Sequence, residues 1–388
     1  MTLEIVRKKY NELYHDEPLL VRSPGRVNLI GEHTDYNMGF VLPGAIDKSI
    51  YLAIAPRNDD RVQVHAINLN DDYVFEINNL EKLKIGWPNY LMGVVDQLIK
   101  AHYRMKGFNC VFGGDIPIGA GLSSSAAIEA GLAFALNHIF ELEIDRLNIV
   151  KLAQKSENEF VGVQCGIMDQ FINIFGEADR LLLLDCRSLD YECVPFKYKN
   201  VSVVLFNSNV SHSLASSEYN KRRKECNECV AVINKDFEQV HSLRDVSLEM
   251  LQQYRSKLDP IVYRRSIYAI EENDRVLKAC ATLKENDLNA FGSLMFRTHE
   301  GLRSEYEVSC KELDFLVELV DDYAEVYGAR MMGGGFGGCT INLIEKSAVN
   351  DIGEMVQREY CKKFNREASM YVTSISAGTG IMTMEDQS

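Results

Sequence analysis

The chain lacks any run of about 18 apolar residues, so a membrane-spanning helix is not expected. Its first fourteen residues carry Glu4, Arg7, Lys8, Lys9 and Glu12 and no apolar h-region, which argues against a secretory signal. Positive charge is also short: 42 Lys and Arg against 56 Asp and Glu give a net charge of -14. A field of that sign repels nucleic acid and anionic membrane, so neither is expected as a partner. An anionic ligand would have to be held by a local device. Ten cysteines follow no framework spacing, and reduced thiols in a cytoplasmic protein are the expectation. Cys226 and Cys229 form a single CxxC with no second pair, read as ordinary helix thiols rather than a zinc or redox site. There is no short repeat and no low-complexity linker.

What is present is an ordinary globular balance over 388 residues, 46% apolar and 25% charged, enough to bury a sizeable core. Helical spacing of Leu3, Val6, Tyr10 and Leu13 predicts a helix over residues 2–15. Residues 19–22 and 27–30 read as strands broken by Ser23-Pro24-Gly25, and the alternation of Val62, Val64 and Ala66 as another strand. A helix is expected from Pro88, a strand over 108–112, and helices over 124–140 and 146–160. Strands are expected near 171–175, 181–185 and 201–206. Residues 217–327 read as mostly helical, followed by the glycine string 333–338, a strand over 339–343, a helix over 348–364 and a strand over 370–375. Mixed α and β in two lobes is the class, with the seam between Asp185 and Ser208 and the lobes taken as residues 1–195 and 196–388.

Three segments carry chemistry. The first joins a strand to a helix through Gly119, Ala120, Gly121, Leu122, Ser123, Ser124 and Ser125. Glycines let the backbone approach a ligand closely, and the helix start adds unpaired N–H groups, a positive dipole end and three hydroxyls. That describes an anion site for a phosphate. It is not a Walker loop, because no lysine lies between Lys106 and Lys151, and the dinucleotide fingerprint is absent here. The plain alternative is a small-residue helix entry with a serine cap. The second segment runs from Arg26 through Gly31 into Glu32, His33, Thr34 and Asp35. Two carboxylates and an imidazole suit a hydroxyl-rich ligand, since carboxylates accept and imidazole either donates or accepts. A polar hairpin loop is the alternative. The third contains Glu157, Gly162, Gly166 and Asp169. A partly buried Asp169 at a helix start needs a partner, and Arg26 is the obvious one, whether for catalysis or as a structural ion pair. Glu157 could equally be a solvated surface acid.

Together these segments resemble the GHMP kinase superfamily and, within it, the galactokinase family. Residues 25–37 are similar to the galactokinase signature, 119–127 to the superfamily's phosphate loop, 165–170 to the segment with the catalytic aspartate, and 333–338 to its third, glycine-rich motif. The resemblance implies an α+β, two-lobed GHMP kinase fold. Its N-terminal lobe is like the second domain of ribosomal protein S5, and its C-terminal lobe is ferredoxin-like with extra helices. It implies ATP-dependent phosphorylation of the anomeric hydroxyl of D-galactose. Carried over by position, Asp169 is the base with Arg26 as its partner, either removing the proton early or mainly orienting the hydroxyl as a loose transition state forms. Glu32, His33, Thr34, Asp35, Gly166 and Tyr219 lie at the sugar, and residues 119–125 cradle the ATP phosphates. Ser125 and Glu157 hold Mg²⁺, an oxygen pair that suits a hard ion keeping several waters. Residues 87–90 resemble the adenine-side wall. Phosphoryl transfer asks for positioning and charge stabilisation, and an arginine beside Asp169 favours an ionised carboxylate.

Three rivals are distinguishable. A catalytically silent sugar sensor on the same fold would have a damaged phosphate loop, and Ser123, Ser124 and Ser125 are intact here. A kinase of the same family acting on N-acetylgalactosamine, galacturonate or arabinose differs in pocket volume. A mevalonate-type kinase leaves Glu32, His33, Thr34 and Asp35 unexplained. A monomer or weak homodimer is expected.

Overall fold

Five strands from the first third of the chain and one from its far end build a six-stranded sheet. In spatial order its strands are Gly380–Ile381, Leu19–Asn28, Pro43–Pro56, Phe108–Gly114, Arg61–Ala66 and Asp71–Glu76. All neighbours are antiparallel except Arg61–Ala66 with Phe108–Gly114. The computed structural model describes residues 2–84, 86–117, 119–210 and 215–383, with only the backbone of Ala215 and Ser216. Ile118, within the phosphate-loop segment, and residues 211–214, which precede Tyr219, lie outside the described residues.

The helix Ser124–Ile139 packs across the strands Leu19–Asn28 and Pro43–Pro56. Small residues permit the approach: a Cβ on Gly131 would lie 2.6 Å from the Cβ of Ser23, and the Ser23 hydroxyl donates to the Ala127 carbonyl at 2.6 Å. A second sheet of four antiparallel strands has the order Val326–Met331, Cys339–Glu345, Val201–Asn207 and Ser369–Thr373. With the helix Val349–Phe364 before the last strand, this is the ferredoxin-like arrangement. Its first and second strands in sequence are separated by the helical stretch that includes Ala215–Asn234, Pro260–Lys284 and Leu288–Ser304. A third sheet joins Phe40–Val41, Arg180–Asp185 and Tyr191–Pro195. One apolar core runs from Leu29, Leu52 and Leu136 to Val276, Ile341 and Leu343. Each such buried side chain contributes about 1.5–3 kcal/mol. Among the described residues no helix is long and apolar enough to cross a membrane.

Three expectations are corrected. Residues 19–28 form one continuous strand, because a bulge between Pro24 and Arg26 absorbs the expected break. Residues 171–175 belong to the helix Met168–Phe175 instead of a strand; a short continuous apolar run fits either period, and here Phe171, Ile172 and Ile174 are all buried. The helix from Arg146 stops at Lys155 and continues as a π-helix, Ser156–Val161, whose wider turn places Glu157 inward.

Candidate active site

The loop after Phe108–Gly114 alternates exposed glycines with buried anchors. Gly119 and Gly121 are exposed and take φ of +75° and +73°, while Ala120 and Leu122 are buried. The Leu122 carbonyl accepts from the Arg26 amide at 3.2 Å, so the bulged strand fixes the loop. Ser123 takes φ +56° before the helix, and Ser124 and Ser125 begin it. The glycine string 333–338 backs the loop: a Cβ on Gly121 would lie 3.8 Å from the Met332 carbonyl, and one on Gly338 would lie 3.7 Å from the Ala120 carbonyl.

Beside this loop lies a cavity of about 290 Å³, lined among others by Arg26, Glu32, His33, Asp35, Gly166, Asp169 and Tyr219. That is close to the lower size of small-molecule sites, about 300 Å³. Arg26 is buried and forks onto Asp169, Nε to Oδ1 at 2.8 Å and Nη2 to Oδ2 at 2.9 Å. Its Nη1 donates to the Gly121 carbonyl at 2.5 Å, and the Ser123 hydroxyl donates to Asp169 Oδ2. Asp169 therefore sits at the joint between loop and cavity.

The turn after the strand Leu19–Asn28 supplies the opposite wall. Gly31, at φ +97°, has no room for a side chain: a Cβ would come within 2.8 Å of Val276 and 2.9 Å of the Phe40 carbonyl. Glu32 is buried; its Oε1 accepts from the Gly333 amide at 2.8 Å and from Arg330 at 3.1 Å. His33 takes φ +65°, and its ring lies 5.3 Å from Tyr219 and 4.9 Å from Tyr306 between centroids. Burial, then the Arg222 guanidinium, push His33 down to about 3, so it is neutral at ordinary pH. The Asp35 carboxyl lies directly over Gly166, where a Cβ would come within 1.8 Å of Oδ2. Burial, then the charge of Asp169, push Asp35 up to about 7. Thr34 does not line the cavity; its hydroxyl lies 2.9 Å from the Gly31 carbonyl and 2.7 Å from that of Phe40, holding the turn. Residues 87–90 lie apart from the cavity: Trp87 packs edge-on to Phe112 and donates to Asp71 at 2.9 Å, and Asn89 brackets the Leu83 backbone.

Glu157 is a buried acid, which removes the solvated alternative. Its Oε1 accepts from the Ser125 hydroxyl at 3.1 Å and its Oε2 from Gln170 at 2.8 Å. Burial, then the charge of Asp169, raise its carboxyl, and burial followed by Glu157 raises neighbouring Glu129 well above the usual range. Two adjacent hard oxygen donors fit a divalent cation that takes its remaining ligands from phosphate and water. Among the described residues no group of three or more His, Cys, Asp or Glu could hold a metal alone. Cys226 and Cys229 are both buried in the helix Ala215–Asn234.

Several residues here escaped the sequence reading. Arg330 is fully buried and donates to the Leu29 carbonyl at 2.9 Å, the Met331 carbonyl at 2.6 Å and the Asn28 carbonyl as well as to Glu32. Its signal was a single arginine inside the apolar strand Val326–Met331. The helix Pro260–Lys284 grips the 31–40 turn from outside: Glu272 accepts from the Gly31 amide at 2.8 Å, Asn273 from that of Phe40 at 2.8 Å, and Tyr268 donates to the Glu32 carbonyl at 3.1 Å. Nothing in the spacing of that helix announced this.

Comparison with known proteins agrees along the chain. Residues 8–56 match the galactokinase galactose-binding signature, 89–177 the GHMP kinases N terminal domain and 277–363 the GHMP kinases C terminal domain. The chain is 42% identical over 376 residues to a galactokinase of Roseiflexus sp. (strain RS-1), covering 97% of this chain and 96% of that one. It is 41% identical over 363 residues to a galactokinase of Pyrococcus furiosus, covering 94% and 99%. Among solved structures, the Lactococcus lactis galactokinase complexed with galactose is similar at a TM-score of 0.94 and 35% identity, covering 98% of this chain and 100% of that one.

Proposed function

The chain belongs to the galactokinase family of the GHMP kinases, and from that premise we propose how its own residues perform the reaction. The protein transfers the γ-phosphoryl group of ATP to the anomeric hydroxyl of D-galactose, giving galactose 1-phosphate and ADP. The observation that carries the assignment of roles is the Arg26 fork, which holds both oxygens of Asp169 and the Gly121 carbonyl at once. It supports a reading in which Asp169 is the proton acceptor between a hydroxyl in the cavity and a phosphate on the loop.

Galactose occupies the cavity with Glu32 and Asp35 accepting from its hydroxyls, His33 and Tyr219 at its edge, and the Gly166 backbone beneath Asp35. Thr34 acts through the turn it ties down. Residues 119–125 receive the phosphates of ATP on backbone amides and hydroxyls, and residues 87–90 form the adenine side. Asp169 takes the proton of the C1 hydroxyl as that oxygen bonds to the γ-phosphorus. The bond from the γ-phosphorus to the β,γ-bridging oxygen breaks, and ADP leaves. Arg26 keeps Asp169 oriented and adds positive charge beside the transferring group. Ser125 and Glu157 would hold Mg²⁺, which supplies charge neutralisation on the phosphates.

The test is an ADP-release assay with MgATP over D-galactose, D-glucose, N-acetylgalactosamine, galacturonate and L-arabinose, for the wild type and Asp169→Asn. Turnover with D-galactose that drops about 10²–10⁴-fold in the variant, while calorimetry still shows both substrates binding, is the expected result. Substantial turnover by the variant removes Asp169 as the base. Turnover with a different sugar alone would change the substrate and keep the mechanism.

A further inference from the structure

Behind His33 lies a line of buried protic groups with no carboxylate or ammonium at its far end. His33 Nδ1 is 2.8 Å from the Tyr36 hydroxyl, which is 2.7 Å from the Tyr306 hydroxyl, which is 3.3 Å from the Cys226 sulfur. The Asn37 amide nitrogen closes the line at 3.6 Å from that sulfur. All five residues are buried; His33 Nε2 makes no hydrogen bond of full geometry, and the Gly334 backbone faces the ring as a weaker contact that favours a ring N–H. An imidazole there either donates or accepts through Nε2, and the choice decides which ligand groups it can meet.

The distances alone allow either direction along the line, and the protons available at its far end favour one of them. The Asn37 nitrogen also donates to the His33 carbonyl at 2.9 Å, a group that can only accept, so the amide's orientation is fixed and it presents N–H to the sulfur. Cys226 Sγ therefore already faces one donor. If Tyr306 donated to it as well, two donors would converge on a weak acceptor and the thiol proton would have no acceptor along the line. In the opposite sense every proton is used: the thiol donates to Tyr306, Tyr306 to Tyr36, and Tyr36 to His33 Nδ1. The proton of a neutral His33 must then be on Nε2.

We propose that the line Cys226–Tyr306–Tyr36 locks His33 in the Nε2–H form, making it a fixed hydrogen-bond donor in a sugar site whose carboxylates, when ionised, only accept. Tyr36, Tyr306 and Cys226 are positioning residues, and their effect on the sugar rests on the galactose reading above. Burial of the ring, which pushes His33 down to about 3, keeps the imidazole neutral, so that the line at Nδ1, together with the Gly334 backbone facing the ring, selects its form. The left-handed backbone at His33, φ +65°, aims the ring along this line at some conformational cost.

The test is a long-range proton–nitrogen correlation spectrum of wild-type protein labelled with ¹⁵N-histidine, with His33 identified by the signals missing in His33→Gln. The expected spectrum shows a bare Nδ1 and a protonated Nε2, unchanged between pH 6 and 8. A protonated Nδ1 in the wild-type protein overturns the proposal. Tyr36→Phe should raise the galactose KM about 10-fold, leave the ATP KM within 2-fold and allow the Nδ1–H form to appear. A loss that strikes both KM values and the melting temperature together, with the Nε2–H form retained, overturns the positioning role. Adding D-galactose to the wild type should shift the Nε2 proton. If it neither shifts nor is phosphorylated, the substrate reading fails, while the free protein still reports which form His33 holds.

Discussion

The 119–125 loop and the 31–40 turn both depend on glycine, for opposite reasons. Around Gly119 there is nothing within 4 Å of a built Cβ, and around Gly121 only one carbonyl at 3.8 Å. There the left-handed backbone and the open space suit the phosphates we propose the loop receives. Around Gly31, Gly39 and Gly166 a Cβ would meet protein at 2.8, 2.8 and 1.8 Å. That wall is already assembled, its glycines consumed by packing and its acids held by side chains from distant segments. The side we propose for the sugar is thus preorganised from behind, whereas the side we propose for the phosphates is a backbone cradle. This matches what each must do: discriminate hydroxyl patterns on one side, and accept a common charged group on the other.

The strongest way to break this comparison is to remove what stands behind the turn. Arg330→Met strips the only cation paired with Glu32 among the described residues and three carbonyl bonds with it. Leaving one member of a buried pair alone costs about 3–5 kcal/mol. Urea unfolding should show that loss, and the galactose KM should rise. Ser124→Ala on the loop should stay within about 0.5 kcal/mol of the wild type. Equal stability losses in the two variants would mean that the turn is no more prebuilt than the loop.

A finer cut exchanges one glycine on each side. Gly166→Ala drives a methyl into the Asp35 carboxylate, and overpacking of this kind costs about 1–3 kcal/mol. The galactose KM should rise about 10- to 100-fold with the ATP KM unchanged. Gly121→Ala meets no close atom, but it must hold φ +73° at a cost of about 1–2 kcal/mol. Here the ATP KM should rise while calorimetric galactose binding holds. If both variants weaken both ligands alike, the two regions work as one.

The same contrast explains what was legible in the sequence. The features of the loop are local, so Gly119, Gly121 and the serines suffice to suggest a phosphate site, and the acids and imidazole of residues 32–35 a polar ligand. What stayed hidden is long-range: Arg330 reaching Glu32, Glu272 and Asn273 gripping the turn, and Tyr306 behind His33. Each is an ordinary residue of a helix, strand or connecting segment until the fold brings it round. The strand Pro43–Pro56 passed unnoticed because Asp47, Lys48 and Ser49 interrupt its apolar pattern, although it is central to the first sheet. The π-turn at Ser156–Val161 has no sequence mark at all, yet it points Glu157 at Ser125.

The smallest expected effect concerns pH and singles out the prebuilt side. Asp35 in the folded protein is pushed up to about 7, mainly by burial and next by Asp169, from an ordinary value of 3.8. Between these values the native state holds a proton that the unfolded chain has released, so this group's contribution to stability falls as pH rises through that window. Asp35→Asn carries no such charge. It should melt about 2 °C above the wild type at pH 8, with the gap closing toward pH 5. His33, pushed down to about 3, stays neutral throughout and cannot mimic the effect. Hydroxyl groups that donate to an ionised Asp35 would have to displace its proton, so wild-type galactose affinity should weaken as pH falls below about 7, and the variant's should not follow. A melting gap that is constant from pH 5 to 8 would mean that Asp35 is ionised in the free enzyme. The sugar wall would then hold its charge without a ligand, as little strained as the phosphate loop.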